Sequence, residues 1–152
     1  MRRVLLDTNL LILLLVGSAR SDLVGEHKRL RAFTAQHWND FSRWLEGTKS
    51  FVTSPNILTE TSNLLDIGKG ALPAVVSNYI SFVEKADELE VTSKSVVGTG
   101  YFLRFGLTDA TILHLIRADV EVGTVDYKLY GVLNFLGVRV TNIRNFTNLG
   151  DT

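Results

Sequence analysis

Four acidic residues stand where the sequence pattern changes from strand-like to helix-like. They are Asp7 in VLLDTN, Glu60 in SPNILTE, Asp109 in GLTDA and Asp126 in GTVDYK. If folding gathers these side chains into one pocket, two charges about 4 Å apart cost on the order of 4 kcal/mol at an effective dielectric near 20. Such a cluster needs a cation, and ligation by oxygen alone favours hard divalent ions such as Mg2+ or Mn2+. The four carboxylates therefore indicate a metal site suited to phosphate chemistry.

The composition narrows the class of protein. A chain of 152 residues is long enough for one domain with a sizeable core, and we expect a single domain over residues 1–147 with 148–152 as a C-terminal tail. The 16 basic and 16 acidic residues cancel, so global electrostatics do not demand a nucleic-acid partner, although a local basic rim is compatible with one. The absence of cysteine excludes disulfides, thiolate zinc sites and cysteine nucleophiles.

The N-terminal segment imitates a secretory signal. Arg2 and Arg3 precede the apolar run from Leu10 to Val16. Asp7 and Asn9 interrupt that pattern, and the uninterrupted run is far shorter than the roughly 20 residues that a membrane span requires. We therefore expect a cytoplasmic protein without a membrane partner, whose first strand and first helix lie on either side of the polar break.

Strand-like and helix-like segments alternate along the chain. The first strand is expected at Arg3–Leu6, and Ser54-Pro55 is the cap and first-turn pair typical of a helix start. Apolar residues at helical spacing predict one long helix from Leu30 to Leu45. A further strand is expected at Leu89–Thr92, and a helix is expected to begin at Thr108. This alternation predicts an α/β fold, with a central parallel sheet covered on both faces in a three-layer α/β/α arrangement.

In such sheets, ligands bind beyond the carboxyl ends of the strands, at the point where the strand order reverses. Asp7 and Asp126 each follow an apolar strand directly. Asp109 lies in the first turn of a predicted helix, and Glu60 lies on a helix that starts just past another strand. Position 60 falls between the apolar positions 57 and 64, so a buried carboxylate there would be costly unless it were paired.

These motifs resemble the PIN-domain nucleases, including the VapC-type ribonuclease toxins, over nearly the whole chain. LLDTNLLI is similar to that family's opening strand with its Asp, and PNILTE is similar to its Glu-bearing helix. GLTDA resembles the third acidic motif, and GTVDYKLY resembles the Thr-x-Asp motif. The resemblance implies a PIN-like α/β fold and hydrolysis of RNA with Mg2+ or Mn2+ as cofactor.

The resemblance also implies roles for individual residues. Asp7, Glu60 and Asp109 would be metal ligands, with Asp126 closing the pocket. Asn9 and Thr124 would support them by hydrogen bonding.

The expected activity is therefore that of a metal-dependent endoribonuclease, and the resemblance allows it to be the toxin of a toxin–antitoxin pair. The expected partners are an RNA substrate, an antitoxin-like inhibitor protein and a second copy of the chain in a homodimer. Arg104 and Lys128 lie close in sequence to Asp109 and Asp126, so we expect these cations to contact the RNA backbone.

Two other functions fit parts of the pattern. A catalytically inert PIN-fold module could keep the fold and bind RNA or protein. A phosphoryl-accepting domain could use Asp7 as nucleophile, but phosphatases of the haloacid dehalogenase type would have a second Asp at position 9, where this chain has Asn9. The aromatic residues Trp38, Phe41 and Trp44 recur at helical spacing, and we expect them in the core or a dimer surface rather than in a base-stacking platform.

Overall fold

The computed structural model describes residues 2–148, in which five strands alternate with seven α-helices. The strands are β1 Arg2–Leu6, β2 Thr48–Thr53, β3 Asp87–Glu88, β4 Val120–Thr124 and β5 Val140–Asn142. The helices are α1 Thr8–Ala19, α2 Ala35–Leu45, α3 Pro55–Leu64, α4 Pro73–Lys85, α5 Ser93–Val97, α6 Gly100–Leu115 and α7 Tyr127–Phe135. Short 3-10 segments occupy Ser21–Leu23 and Ile143–Asn148. Of the expected tail, residues 149–152 lie outside the described part of the chain.

The strands form one parallel sheet in the order β3-β2-β1-β4-β5. Leu5 of β1 pairs with Val52 of β2 on one side and with Val122 of β4 on the other. The chain first adds strands outward from β1 to β3, then returns to the opposite side of β1 for β4 and β5. The strand order therefore reverses between β1 and β4, and the α/β fold with a central parallel sheet is confirmed.

The apolar N-terminal run forms the centre of the molecule. Val4, Leu5 and Leu6 of β1 are buried, and α1 is buried around most of its circumference. A helix that is hydrophobic on all sides belongs in the interior of a protein, and α1 contacts both α3 and α4. Across residues 2–148, no helix combines the length and the apolar character that crossing a membrane would need.

The long helix expected from Leu30 to Leu45 is shorter in the structure. Helix α2 begins only at Ala35, because Thr34 caps it and the His37 ring bonds back to the Thr34 backbone. Leu30 and Phe33 are buried in the irregular segment that precedes the helix. The helical spacing of apolar residues therefore continues through a compact turn that is not helical, and for this reason the sequence predicted too long a helix.

Two boundaries in the second half also differ from expectation. The edge strand is β3 at Asp87–Glu88 rather than Leu89–Thr92, and it pairs with the end of β2. The helix expected to begin at Thr108 continues from α6, in which Gly106 interrupts the helical backbone with φ 79° and ψ 175°. Such a positive φ suits glycine, which has no Cβ to clash. Gly106 thus makes the break that the sequence pattern placed at a capping threonine.

Candidate functional site

Asp7 connects the two central strands at the point where the strand order reverses. Its side chain is 4% exposed and lies directly after β1. The Oδ1 atom accepts a hydrogen bond from the Leu10 backbone N–H at 2.9 Å, so Asp7 itself caps α1. The Oδ2 atom accepts from Thr124 Oγ1 at 2.5 Å and from the Val125 backbone N–H at 3.0 Å. The Asp7 side chain is therefore bonded both to helix α1 and to the end of strand β4.

The environment of Asp7 combines opposing electrostatic effects. Burial raises the pKa of its carboxyl group above the ordinary value, and this is the largest effect. The hydrogen bonds from Thr124, Leu10 and Val125 lower the pKa, and the nearby charge of Asp126 raises it further. A nearby cation would therefore stabilise the charged form of the Asp7 carboxylate.

Thr124 links Asp7 to the second carboxylate of the crevice. Its hydroxyl donates to Asp7 and accepts a hydrogen bond from the Asp126 backbone N–H at 3.0 Å. Asp126 caps α7, because its Oδ1 atom accepts from the backbone N–H groups of Lys128 at 2.8 Å and Leu129 at 3.1 Å. The Thr-x-Asp sequence therefore sets the positions of both carboxylates through one buried hydroxyl.

Asp109 shows most directly that the four acidic groups are neighbours. It is half-buried on α6, three residues after the break at Gly106. Burial and then the charges of Asp7, Asp126 and Glu60, in that order, raise the pKa of the Asp109 carboxyl group to about 7. Folding has therefore brought carboxylates from three other elements within electrostatic reach of Asp109.

Glu60 joins the group, but not as the sequence pattern suggested. The expectation that its side chain is buried is wrong, because Glu60 is exposed while Ile57, Leu58 and Thr61 form the buried side of α3. Together with Thr108, Glu60 lines an open groove beside Asp109. Its closeness to Asp109, rather than the cost of burial, is what connects Glu60 to the site.

The available oxygen atoms of the described residues are of the type that a hard divalent cation prefers, although they do not form a ready-made ligand cage. Within the described chain, the carboxylates of Glu60 and Asp109 and the Oδ2 atom of Asp126 have no hydrogen-bond or ion-pair partner in the protein. Carboxylate oxygens are the ligands that Mg2+ and Mn2+ prefer. Among the described residues, no three acidic or histidine side chains stand close enough together to hold an ion as they are. The case for a cation therefore depends on the type of donor atom and on the mutual repulsion of the carboxylates.

The two cations expected to contact RNA line one groove, which we call the basic groove. Its lining residues are Arg104, Tyr127, Lys128, Gly131, Val132 and Phe135. The groove adjoins the carboxylates, since Tyr127 and Lys128 directly follow Asp126. Tyr127 and Phe135 are 56% and 88% exposed. These two aromatic residues were not among the sequence candidates, although positions 127, 131 and 135 follow one helical stripe.

The remaining residues singled out from the sequence lie outside the acidic cluster and the basic groove. Asn9 is exposed in the first turn of α1, and its side chain makes no hydrogen bond to the described residues, so its supporting role stays a prediction. Phe41 is fully buried, and Trp38 and Trp44 lie at 6.2 Å from it, ring centroid to ring centroid. Of the two expected locations, core or dimer surface, the structure shows the core for Phe41, with the partly buried Trp38 and Trp44 packed against it.

No family model matches the sequence, and the curated proteins and solved structures compared with it yield no match either. The functional assignment therefore depends on the fold and on the geometry of the site.

Proposed function

We propose that this protein is a Mg2+- or Mn2+-dependent endoribonuclease that hydrolyses RNA phosphodiester bonds. The observation that carries the proposal is the arrangement of Asp7 and Asp126, which Thr124 joins at the reversal of strand order, with Asp109 and Glu60 close enough that burial and the neighbouring charges raise the pKa of Asp109 to about 7. A carboxyl group whose pKa is raised by burial and by like charges indicates a functional site, and a cation would offset the repulsion among the four groups. Their place at the reversal of strand order is where parallel α/β sheets bind ligands.

Asp7, Glu60, Asp109 and Asp126 would hold the ion. When bound, the ion would supply Lewis-acid chemistry that activates water for attack and offsets charge on the phosphate oxygens. Asp7 and Asp126 are pre-positioned by Thr124 and by their helix-capping bonds. Asp109 and Glu60 have carboxylates without protein partners among the described residues, so both can adjust toward a ligand.

The basic groove would hold the substrate backbone. Arg104 and Lys128 supply positive charge next to the acidic cluster, and backbone phosphates are the groups that such side chains bind. The exposed ring of Tyr127 lies beside Lys128 and could stack on a base, since every base has an aromatic face. The chain would thus grip RNA with groups that are separate from the metal ligands.

Under this proposal the chain works in the cytoplasm as a toxin-like ribonuclease, forms a homodimer and is restrained by an antitoxin-like inhibitor protein. Leu103 and Phe135 are large apolar side chains with exposures of 91% and 88%, so both are accessible to a protein partner. Light scattering of the purified protein tests the dimer. Co-expression with the product of a neighbouring small reading frame tests the inhibitor.

Cleavage of RNA tests the activity itself. We expect single-stranded RNA to be cut in Mn2+ or Mg2+ and spared in EDTA, and we expect Asp109→Asn to abolish cutting while RNA binding survives. Arg104→Ala should instead weaken binding and reduce its salt dependence by about one unit of slope or less. The Asp109→Asn protein, purified in parallel, controls for contaminating ribonuclease. Equal cleavage by both proteins, or none by wild type with metal bound, would favour the inert interaction module.

A further inference from the structure

A second groove adjoins the acidic cluster, and its chemistry differs from that of the basic groove. We call it the amide groove, and it is lined by Pro55, Asn56, Thr59, Glu60, Asn63 and Thr108. Glu60 belongs to the acidic cluster, and Thr108 directly precedes Asp109. The basic groove begins at Tyr127, directly after Asp126. The acidic cluster therefore adjoins both grooves.

The two grooves differ in charge. Arg104 and Lys128 line the basic groove, whereas the described lining of the amide groove contains no lysine or arginine. A further depression shares Pro55 and Asn56 with the amide groove, and its additional lining includes Glu90 and, again, no cation among the described residues. Positive charge supplies most of the attraction for backbone phosphates. The amide groove lacks that charge among the described residues, so the basic groove is the better place for the RNA backbone.

Two side-chain amides in this groove are available for recognition. Asn56 is half-buried and Asn63 is exposed, and neither side chain has a hydrogen-bond partner among the described residues. Each amide offers both a donor and an acceptor, the combination that base edges require. They stand seven residues apart on α3, about 10 Å along the helix axis, so they could contact different nucleotides.

The helix that carries these amides is firmly anchored. The Ser54 hydroxyl caps α3 by accepting from the Ile57 backbone N–H at 3.3 Å, and Pro55 occupies the first turn. Ile57 and Leu58 are buried in the core. Polar groups discriminate between ligands best when rigid elements hold them in place.

We infer that Asn56 and Asn63 read base edges on one side of the scissile bond, while the basic groove holds the other side of the strand by its backbone. The inference rests on the proposed ribonuclease function and adds to it that sequence preference is confined to one side of the cleaved bond. Asn56 and Asn63 are specificity-determining residues rather than metal ligands.

Sequencing the products from a randomised RNA library tests this inference. Wild type should prefer particular nucleotides on one side of the cut only. Asn56→Ala, Asn63→Ala and the double variant should each reduce that discrimination, by at least about fivefold for the double variant, because cleavage of the preferred sequences falls toward that of the others. Asn39→Ala is the matched control, because Asn39 is an exposed asparagine on α2 that lines neither groove.

A second library, retained on the protein in EDTA and then sequenced, separates failure of the inference from failure of the enzyme proposal. Cleavage with preferences on both sides, with none, or with preferences unchanged in the double variant would overturn the inference and leave the nuclease intact. Absence of cleavage, together with a retained preference that the double variant loses, would overturn the nuclease and support base reading. Absence of both cleavage and preference would overturn both.

Discussion

Asp7 and Asp109 occupy the same crevice but differ in how the protein treats their charge. Asp7 accepts hydrogen bonds from Leu10, Thr124 and Val125, which partly replace its lost hydration. Asp109 has no such donors among the described residues, and the charges of three other carboxylates act on it. An asparagine at position 7 would turn its NH2 group toward one of the donors. Substitution at Asp109 is therefore the cleaner probe of charge repulsion.

Asp109→Asn should stabilise the protein when metal is absent, and the gain should depend on pH. The folded pKa of about 7 exceeds the ordinary 3.8, so the folded state holds a proton that the unfolded state has released between these values. Stability is therefore lost as pH rises from about 4 to 7. In EDTA, the melting temperature of Asp109→Asn relative to wild type should climb over that range and level off above it.

Asp119→Asn provides a control of opposite sign. The Arg3 guanidinium holds the pKa of exposed Asp119 below its ordinary value, so this carboxylate favours the folded state at neutral pH. Asp119→Asn should not raise the melting temperature at pH 7. If Asp109→Asn changed the melting temperature equally at every pH, or lowered it throughout, the carboxylates would not repel one another as the proposed metal site requires.

Thr124→Val should cost stability although the shape of the side chain is kept. The change removes the donor to Asp7 and the acceptor for the Asp126 N–H, both in a buried setting. Leaving such groups unpaired costs about 1–3 kcal/mol. Thr124→Ser keeps the hydroxyl and loses one methyl group, worth about 0.8 kcal/mol. Urea unfolding measures both, and a serine variant no more stable than the valine variant would refute the role of the hydroxyl.

At the scale of elements, helix α2 packs closely against strand β4 and helix α1 at two glycines. A Cβ added at Gly123 in β4 would lie 2.8 Å from Trp44, and one added at Gly17 in α1 would lie 2.5 Å from Trp38. Both distances are shorter than side chains tolerate without shifting. Trp44 also lies under the Arg2 guanidinium, 4.5 Å from the ring centroid. The aromatic residues of α2 thus support β4 next to Thr124.

Gly123→Ala should therefore destabilise the protein by about 1–3 kcal/mol, because the indole ring of Trp44 and the side chain of Leu6 cannot both withdraw freely. Gly131→Ala on α7 is the matched control. No atom lies within 4 Å of its added Cβ, and alanine is about 1 kcal/mol better than glycine inside a helix. Thermal unfolding should shift in opposite directions for the two variants. A Gly123→Ala protein as stable as wild type would show that Trp44 is loosely packed.

At the scale of the whole molecule, a cation bound at the proposed site should stabilise the fold, because the proposed ligands come from four separate elements. A ligand specific for the folded state adds about 2.7 kcal/mol at a hundredfold excess over Kd. For a chain of this size, each kcal/mol corresponds to roughly 2–4 °C. Millimolar Mn2+ or Mg2+ should therefore raise the melting temperature by several degrees.

The rise in melting temperature should be largely lost in Asp109→Asn and retained in Asp119→Asn. Sodium chloride at matched ionic strength controls for general screening of charge. If Mn2+ shifts wild type and Asp109→Asn equally, the ion binds elsewhere, and if it shifts neither, the proposed metal site is wrong.

The sequence by itself determined the features that depend on neighbours along the chain. The first strand, the Ser54-Pro55 helix start and the alternation of strand and helix follow from local preferences for capping, backbone angles and apolar spacing. Parallel pairing follows from that alternation, because crossover helices return each strand in the same direction. The positions of Asp7 and Asp126 just beyond strand ends could be predicted from the sequence for the same reason.

Tertiary structure decided which distant residues meet. Apolar spacing could not show that Glu60 faces solvent, because the helix face that is buried depends on the partners that cover it. Nor could it place Arg104 in one groove with Lys128, since α6 and α7 are separated by a strand. The raised pKa of Asp109 likewise arises from burial and from charges on three other elements. Electrostatic coupling acts through space, so it appeared only once the strand order had brought those elements together.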